Sequence, residues 1–302
     1  MVITLQNIKS YLIGKGITSD VSKCSVQLSS SYSSSVENSL FRVQTENGNF
    51  VVKVFKESLV KSYPSALARF SCERAAIRYL DLLLDERVTA PIVFFDESEK
   101  VICMPDFGVT NRLDQLLISG GVDLSVFKKL GVLLADIHRK SRGNKALEVL
   151  FSNDLYHEWK MNGKECLKKN KITFVHNDLS LENIFVLGRE KIFLLDFEGV
   201  CYGDPAQDAG FFLAHLFLDY YHKPERKTKK VILLFWRSYL HSLCFNEEQL
   251  LEKNVISHIL FSLGKLLSSK GCSLNELERL RIKEIAQKKN GCKKVKEMLR
   301  GV

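Results

Sequence analysis

Two segments separated by a short polar turn constrain this chain most: VHNDLSLENIFVL (175–187) and KIFLLDFEGV (191–200). Each carries a compact apolar run of the kind that forms a buried strand, and Gly188-Arg189-Glu190-Lys191 between them reads as a tight turn. The first segment holds His176, Asp178 and Asn183 in the pattern H-x-D-x-x-x-x-N; the second delivers a carboxylate, Asp196, at the end of its strand. A hairpin symmetric about the 189–190 bond sets Asn183 directly opposite Asp196, and such neighbours sit about 5 Å apart. Two oxygen ligands at that separation, beside a third acid at Asp178, suit a hard divalent cation that holds phosphate groups.

The rest of the chain bounds what can surround this hairpin. Its 302 residues, 45% hydrophobic and 26% charged, are those of a soluble globular protein with one large or two modest domains. No apolar run reaches membrane-spanning length; the stretch Phe211–Leu218 is interrupted by His215 and closed by Asp219. The opening MVITLQNIKSYLIGKG reads as an amphipathic helix with Ile8, Leu12 and Ile13 on one side, without the features of a secretory signal. The eight cysteines are scattered singly, which points to reduced thiols and a cytoplasmic protein. Of the net charge of +9, residues 279–302 carry +7 (nine Lys/Arg against Glu284 and Glu297), so the body is nearly neutral. That tail reads as a solvated helix face; nucleic acid is not expected as a partner, and an RNA or anionic-membrane contact stays as the alternative.

Period-2 runs in LFRVQTENGNFVVKVF (40–55) flank Asn47-Gly48 and predict a hairpin. Pro64 precedes a helical pattern in which Ala66, Phe70, Ile77 and Leu80 recur at helical spacing. Short strands are expected near 91–95 and 101–104, a helix over 122–139, and helices from about Ala206 onward. A small strand-rich lobe thus precedes a larger helical one.

HNDLSLEN and LLDFE together resemble the catalytic and metal-binding loops of the kinase-like phosphotransferases, the superfamily of aminoglycoside phosphotransferase, choline kinase and methylthioribose kinase. GDPAQDAGFFLAHL (203–216) and LGVLLADIHRKS (130–141) are similar to its segments after the metal carboxylate and before the catalytic loop. The resemblance runs from about residue 25 to 220. It implies an α+β, protein-kinase-like two-lobe fold: an antiparallel-sheet N-lobe (1–103) and a mainly helical C-lobe (104–302). It also implies that Asp178 accepts the proton of an acceptor hydroxyl, that Asn183 and Asp196 hold Mg²⁺, and that Asp208 and His176 fix the catalytic loop.

The same resemblance asks for a strand lysine paired with a helix glutamate. Lys53 shares a strand face with Val51 and Phe55, and Glu73 lies on the apolar face of its helix, so an ion pair between them explains both. Where a glycine-rich phosphate loop would stand, the chain reads QLSSSYSSSVENSLF (27–41), with six serines between 29 and 35; a flexible polar loop is the alternative there. In VICMPDFG (101–108), the resemblance puts Met104 behind an adenine, with the Pro105 carbonyl and the Phe107 N–H on its edge. A plain strand-to-loop exit is the other reading of that segment.

Only about ten residues separate Asp196 from the next helix, and no A-P-E segment follows, so a small-molecule hydroxyl acceptor is expected and no protein substrate. The reaction implied is ATP- and Mg²⁺-dependent transfer to a sugar, an amino alcohol or a similar metabolite. Aromatic residues after 206 (Phe211, Phe212, Tyr220, Tyr221, Trp236, Tyr239) read mostly as core, with one or two left to line a pocket. The basic C-terminal region disfavours a polycationic antibiotic acceptor. A non-catalytic nucleotide-binding protein of the same fold is the rival reading.

Overall fold

The computed structural model describes residues 3–28, 38–58, 63–152, 172–188, 191–222, 226–244, 248–268, 282 and 289–301. Alternating apolar residues in the first third build one antiparallel sheet with a helix against each face. After α1 (Ile8–Gly14), the strands are β1 (Ser25–Leu28), β2 (Asn38–Thr45), β3 (Gly48–Phe55), β4 (Phe94–Asp96) and β5 (Val101–Pro105), in the order β1-β2-β3-β5-β4. Between β3 and β4 runs α2 (Ala66–Leu83), capped by the Ser65 hydroxyl, which accepts the Ala68 N–H. Period 2 sorts the side chains: Val52, Val54, Val101 and Cys103 pack on the α1 face with Ile8 and Leu12, whereas Phe55, Ile102 and Met104 pack on the α2 face with Phe70.

Two local expectations need correction. In the 40–55 hairpin Thr45 pairs with Gly48, so the two loop residues are Glu46 and Asn47, and Gly48 opens β3 with φ +130°. The Asn-Gly signal located the turn one residue late because the glycine's conformational freedom serves the first strand position. In α1 the buried residues are Ile8, Tyr11 and Leu12, while Ile13 faces solvent. Tyr11 takes the inward place because its hydroxyl donates to Asp96 on β4 at 2.8 Å.

The remainder is mainly helical: α3 (Leu113–Ile118), α4 (Leu124–Ser141), α5 (Lys145–Leu150), then α6 (Ala206–His222), α7 (Arg226–Leu243), α8 (Glu248–Ser268) and α9 (Lys289–Arg300). Into it are set two small antiparallel pairs, β6 (Thr173–Val175) with β9 (Cys201–Gly203), and β7 (Ile184–Leu187) with β8 (Lys191–Leu194). The β6–β9 pair was not foreseen, since three-residue strands leave no periodicity to read. The fold is therefore the kinase-like two-lobe arrangement, with an antiparallel sheet first and a helical body after it.

Among the described residues no helix is long and apolar enough to cross a membrane. Six cysteines (24, 72, 103, 201, 244 and 292) are free thiols, and Cys166 and Cys272 lie outside the described residues. On α9, Val295 and Leu299 are buried, while Lys293, Lys294 and Lys296 face solvent. Within the helical body α4 lies against α7, and Gly131 is the point of closest approach. A Cβ there would stand 2.5 Å from the Phe235 carbonyl and 3.0 Å from the Tyr239 nitrogen. Gly131→Ala should therefore destabilise the protein by about 1–3 kcal/mol despite alanine's better helix propensity. Chemical denaturation checks this, and a variant as stable as the parent would contradict the packing.

Candidate active site

The α2 helix presents one continuous buried stripe: Ala66, Arg69, Phe70, Glu73, Ala76, Ile77 and Leu80. Two of its members are charged, and both find partners on the sheet or beyond it. Glu73 accepts from Lys53 Nζ at 2.7 Å, in a pair that is almost fully buried. The same ammonium lies 2.5 Å from Asp196 and 3.3 Å from Glu198, so one cation serves three carboxylates. Arg69 adds a second cation, 3.3 Å from Glu198. Oxygens of Glu73, Asp196 and Glu198 lie within 4.8 Å of one another around the Lys53 ammonium. The group of five carries one negative charge in excess. Burial alone would lower the Lys53 pKa, but the three surrounding carboxylates push it well above its ordinary value. Glu73 is raised, chiefly by burial; Lys53 opposes the rise and the neighbouring acids reinforce it.

The residues of the 176–183 loop are held from beneath. Asp208, buried on α6, accepts from the backbone N–H groups of His176 and Asn177, both at 2.8 Å, and from His138 Nε2 at 3.2 Å. Burial would raise its pKa, but the His138 hydrogen bond and the other donors outweigh that and lower it. His176 Nε2 donates to the Leu195 carbonyl at 3.0 Å, which ties the loop to the strand leading to Asp196. Asn177 adopts the left-handed conformation (φ +65°) and reaches back to the Gly199 carbonyl. Asp178 follows, and Asn183 Nδ2 donates to its carbonyl at 2.9 Å, with its Oδ2 at 3.4 Å.

The hairpin register differs from the expected one. Ile184 pairs with Leu194 and Leu187 with Lys191, so the symmetry centre is residue 189 and Asn183 faces Leu195. A one-residue slip would ordinarily send Asp196 to the opposite face. It does not, because Asp196 leaves the strand in the left-handed conformation (φ +67°, ψ +60°) and returns its carboxylate to the cleft.

That cleft is lined by Lys53, Glu73, Met104, Pro105, Phe107, Asn183 and Asp196 among others. Asp178 is not among the lining residues and joins the group through Asn183. At the back, the Asp106 N–H donates to the Asn49 carbonyl at 2.9 Å. Pro105, paired with Phe50, therefore turns its carbonyl away from β3, beyond the last β4 pair at Phe94–Cys103. Phe107 stacks on Phe193 with centroids 4.6 Å apart. The serines of 29–35 lie outside the described residues. Glu198, Arg69 and Asn38 were not singled out from sequence. An arginine on the buried stripe of α2 was the available signal for Arg69. Of the aromatics after 206, Phe212, Trp236 and Tyr239 are core and Phe211 is half-buried; the side chains of Tyr220 and Tyr221 are not among those described.

Residues 158–227, which contain His176 through Asp208, match the family model described as "Phosphotransferase enzyme family". No curated protein matches the sequence. Among solved structures, the chain is similar in fold to an ethanolamine kinase of Plasmodium vivax (TM-score 0.58, 14% identity, over 93% of this chain and 87% of that one). It is also similar to the choline kinase LicA of Streptococcus pneumoniae (TM-score 0.50, 14% identity, 98% and 99%). A third likeness is to an aminoglycoside phosphotransferase solved as a ternary complex with streptomycin and ATP (TM-score 0.52, 17% identity, 93% and 97%). The resemblance to the kinase-like phosphotransferases thus stands on both the motif segment and the fold.

The folded state keeps Asp208 ionised below the ordinary carboxylate range. The stability it contributes is present above the unfolded value near pH 4 and is lost as pH falls through the lower folded value. Asp208→Asn should cost about 2 kcal/mol at pH 7 and show a shallower loss of stability on acidification than the parent. Denaturation curves from pH 7 to pH 3 measure this; parallel pH profiles for the two proteins would contradict it.

Proposed function

We propose that this chain is an ATP- and Mg²⁺-dependent phosphotransferase that moves the γ-phosphate onto a hydroxyl group of a small molecule. The observation that carries the proposal is the Lys53 ammonium, fixed by Glu73 at 2.7 Å and touching Asp196 at 2.5 Å, in a cleft shared with Asn183 and the Pro105 edge. Residues 1–103 are read as the N-lobe and 104–302 as the C-lobe.

The donor set fits a magnesium ion: a carboxylate and a carboxamide in one cleft, hard oxygen ligands, and an excess of negative charge beside them. Asn183 and Asp196 would hold it, and when bound it supplies neutralisation of the charge on the phosphate oxygens. Lys53 adds a fixed positive charge for those oxygens, and Glu73 keeps it from turning to solvent. Met104 would lie behind the adenine, and the Pro105 carbonyl and Phe107 N–H would meet its edge; the outward turn of Pro105 supports this. Asp178 would accept the proton of the acceptor hydroxyl, and the Asn183 amide, 3.4 Å from its Oδ2, would help to orient it.

A small acceptor is favoured by how little chain lies between Asp196 and α6. A short turn (Phe197–Gly199), β9 and the Asp204 cap, whose Oδ1 accepts the Ala206 N–H at 2.9 Å, occupy the whole interval. No segment remains there to dock a peptide. A sugar, an amino alcohol or a similar neutral or zwitterionic metabolite is the acceptor class, consistent with a body that is nearly neutral outside 279–302.

Purified protein given ATP, Mg²⁺ and a panel of hydroxylated metabolites should turn over nucleotide with at least one of them. Asp178→Ala should lower transfer by a factor of about 10²–10⁴ while leaving nucleotide affinity within about twofold. A productive acceptor whose rate survives that substitution would sink the role assigned to Asp178.

A further inference from the structure

Arg69 is a buried guanidinium with no side-chain exposure, and it points in several directions at once. Its Nε donates to the Pro64 carbonyl at 3.2 Å, one terminal nitrogen donates to the Lys56 carbonyl, and the other donates to Asn38 Oδ1 at 2.6 Å and to Glu198 Oε2 at 3.3 Å. Asn38 closes a triangle, donating through Nδ2 to the same Glu198 oxygen at 2.6 Å. That oxygen is also 3.3 Å from Lys53 Nζ, and Tyr63 donates to the other Glu198 oxygen at 3.3 Å. Asn38 lines the cleft, pairs with Phe55 at the end of β3, and is the residue at which the chain re-enters the sheet after the serine-rich stretch.

Burying an arginine this deeply is costly unless each face of the fork is used. Here the fork joins the strand carrying Lys53, the start of β2 and the turn after Asp196. Without it, Glu198 would be a buried carboxylate with less cationic support. It would draw Lys53, already 3.3 Å from it, away from Asp196.

We propose that Arg69 is a positioning residue for the phosphate half of the cleft. It holds Glu198 and Asn38 beside the Lys53–Asp196 contact, so that Glu198 does not draw Lys53 away from the side of the cleft that would take the triphosphate. The inference rests on the functional reading above and adds to it a residue on α2 that touches no reacting group. The base half of the cleft, around Met104, Pro105 and Phe107, makes no part of this network, so the two halves should respond differently to its loss.

The test is the affinity of the full-length protein for Mg·ATP and for adenosine, which lacks phosphates, in the parent and in Arg69→Lys, Asn38→Ala and the double variant Arg69→Met/Glu198→Gln. The lysine variant keeps the charge but loses the fork, and the double variant removes the stranded carboxylate, so the series survives if Arg69→Met alone does not fold. Arg69→Lys and Asn38→Ala should each bind Mg·ATP about tenfold more weakly, the order of one charge-assisted hydrogen bond, with adenosine affinity changed less than about twofold, whereas the double variant, which has no carboxylate at 198 to compete for Lys53, should recover most of that loss. A folded Arg69→Lys or Asn38→Ala variant whose ATP-to-adenosine ratio matches the parent would overturn the inference alone. So would an equal loss for both ligands, which is the mark of a merely structural role. A parent protein that binds neither ligand would overturn the functional reading and this inference with it.

Discussion

The structure turns on one buried ammonium. Lys53 sits on the middle strand of the sheet, yet its three carboxylate partners come from α2 and from the turn after β8, so a single side chain joins the two lobes at the floor of the cleft. Removing such charges from water is expensive, and a hydrophobic pair of equal volume would stabilise the fold at least as well. The arrangement is intelligible as a site. A lysine held by three carboxylates keeps its charge.

The helical lobe answers the same need by different means. Its acids are delivered by turns, and each turn is fixed by a residue that tolerates left-handed backbone: Asn177 before Asp178, and Asp196 itself. Asp208 and His138 secure the first turn from below, and the His176–Leu195 hydrogen bond links the two. The loops that hold the acids are thus anchored to the core by buried hydrogen bonds, which suits groups that must keep their positions as ligands come and go.

Much of this could be read from the residues. Charges on apolar faces marked Lys53 and Glu73, and the observed 2.7 Å pair is the simplest resolution of both. The spacing of His176, Asp178, Asn183 and Asp196 marked the acidic loops. The hairpin register did not follow, since symmetry about a turn assumes an even loop, and the left-handed step at Asp196 that offsets the error leaves no mark in sequence. The Arg69–Asn38–Glu198 triangle was hidden for another reason. Its members are separated by up to 160 positions, and Asn38 and Glu198 taken alone read as surface polar residues. Long-range polar contacts depend on the completed fold, whereas period and local charge do not.

On the proposed function, this cleft binds a nucleotide through a divalent cation held by Asn183 and Asp196. Titration calorimetry of ATP with the parent protein and with Asp196→Asn, each with Mg²⁺ and with a chelator, tests it most directly. Mg²⁺ should strengthen ATP binding to the parent about tenfold or more, and this gain should disappear in the variant. Equal ATP affinity with and without Mg²⁺ in the parent, or an undiminished Mg²⁺ effect in Asp196→Asn, would contradict it.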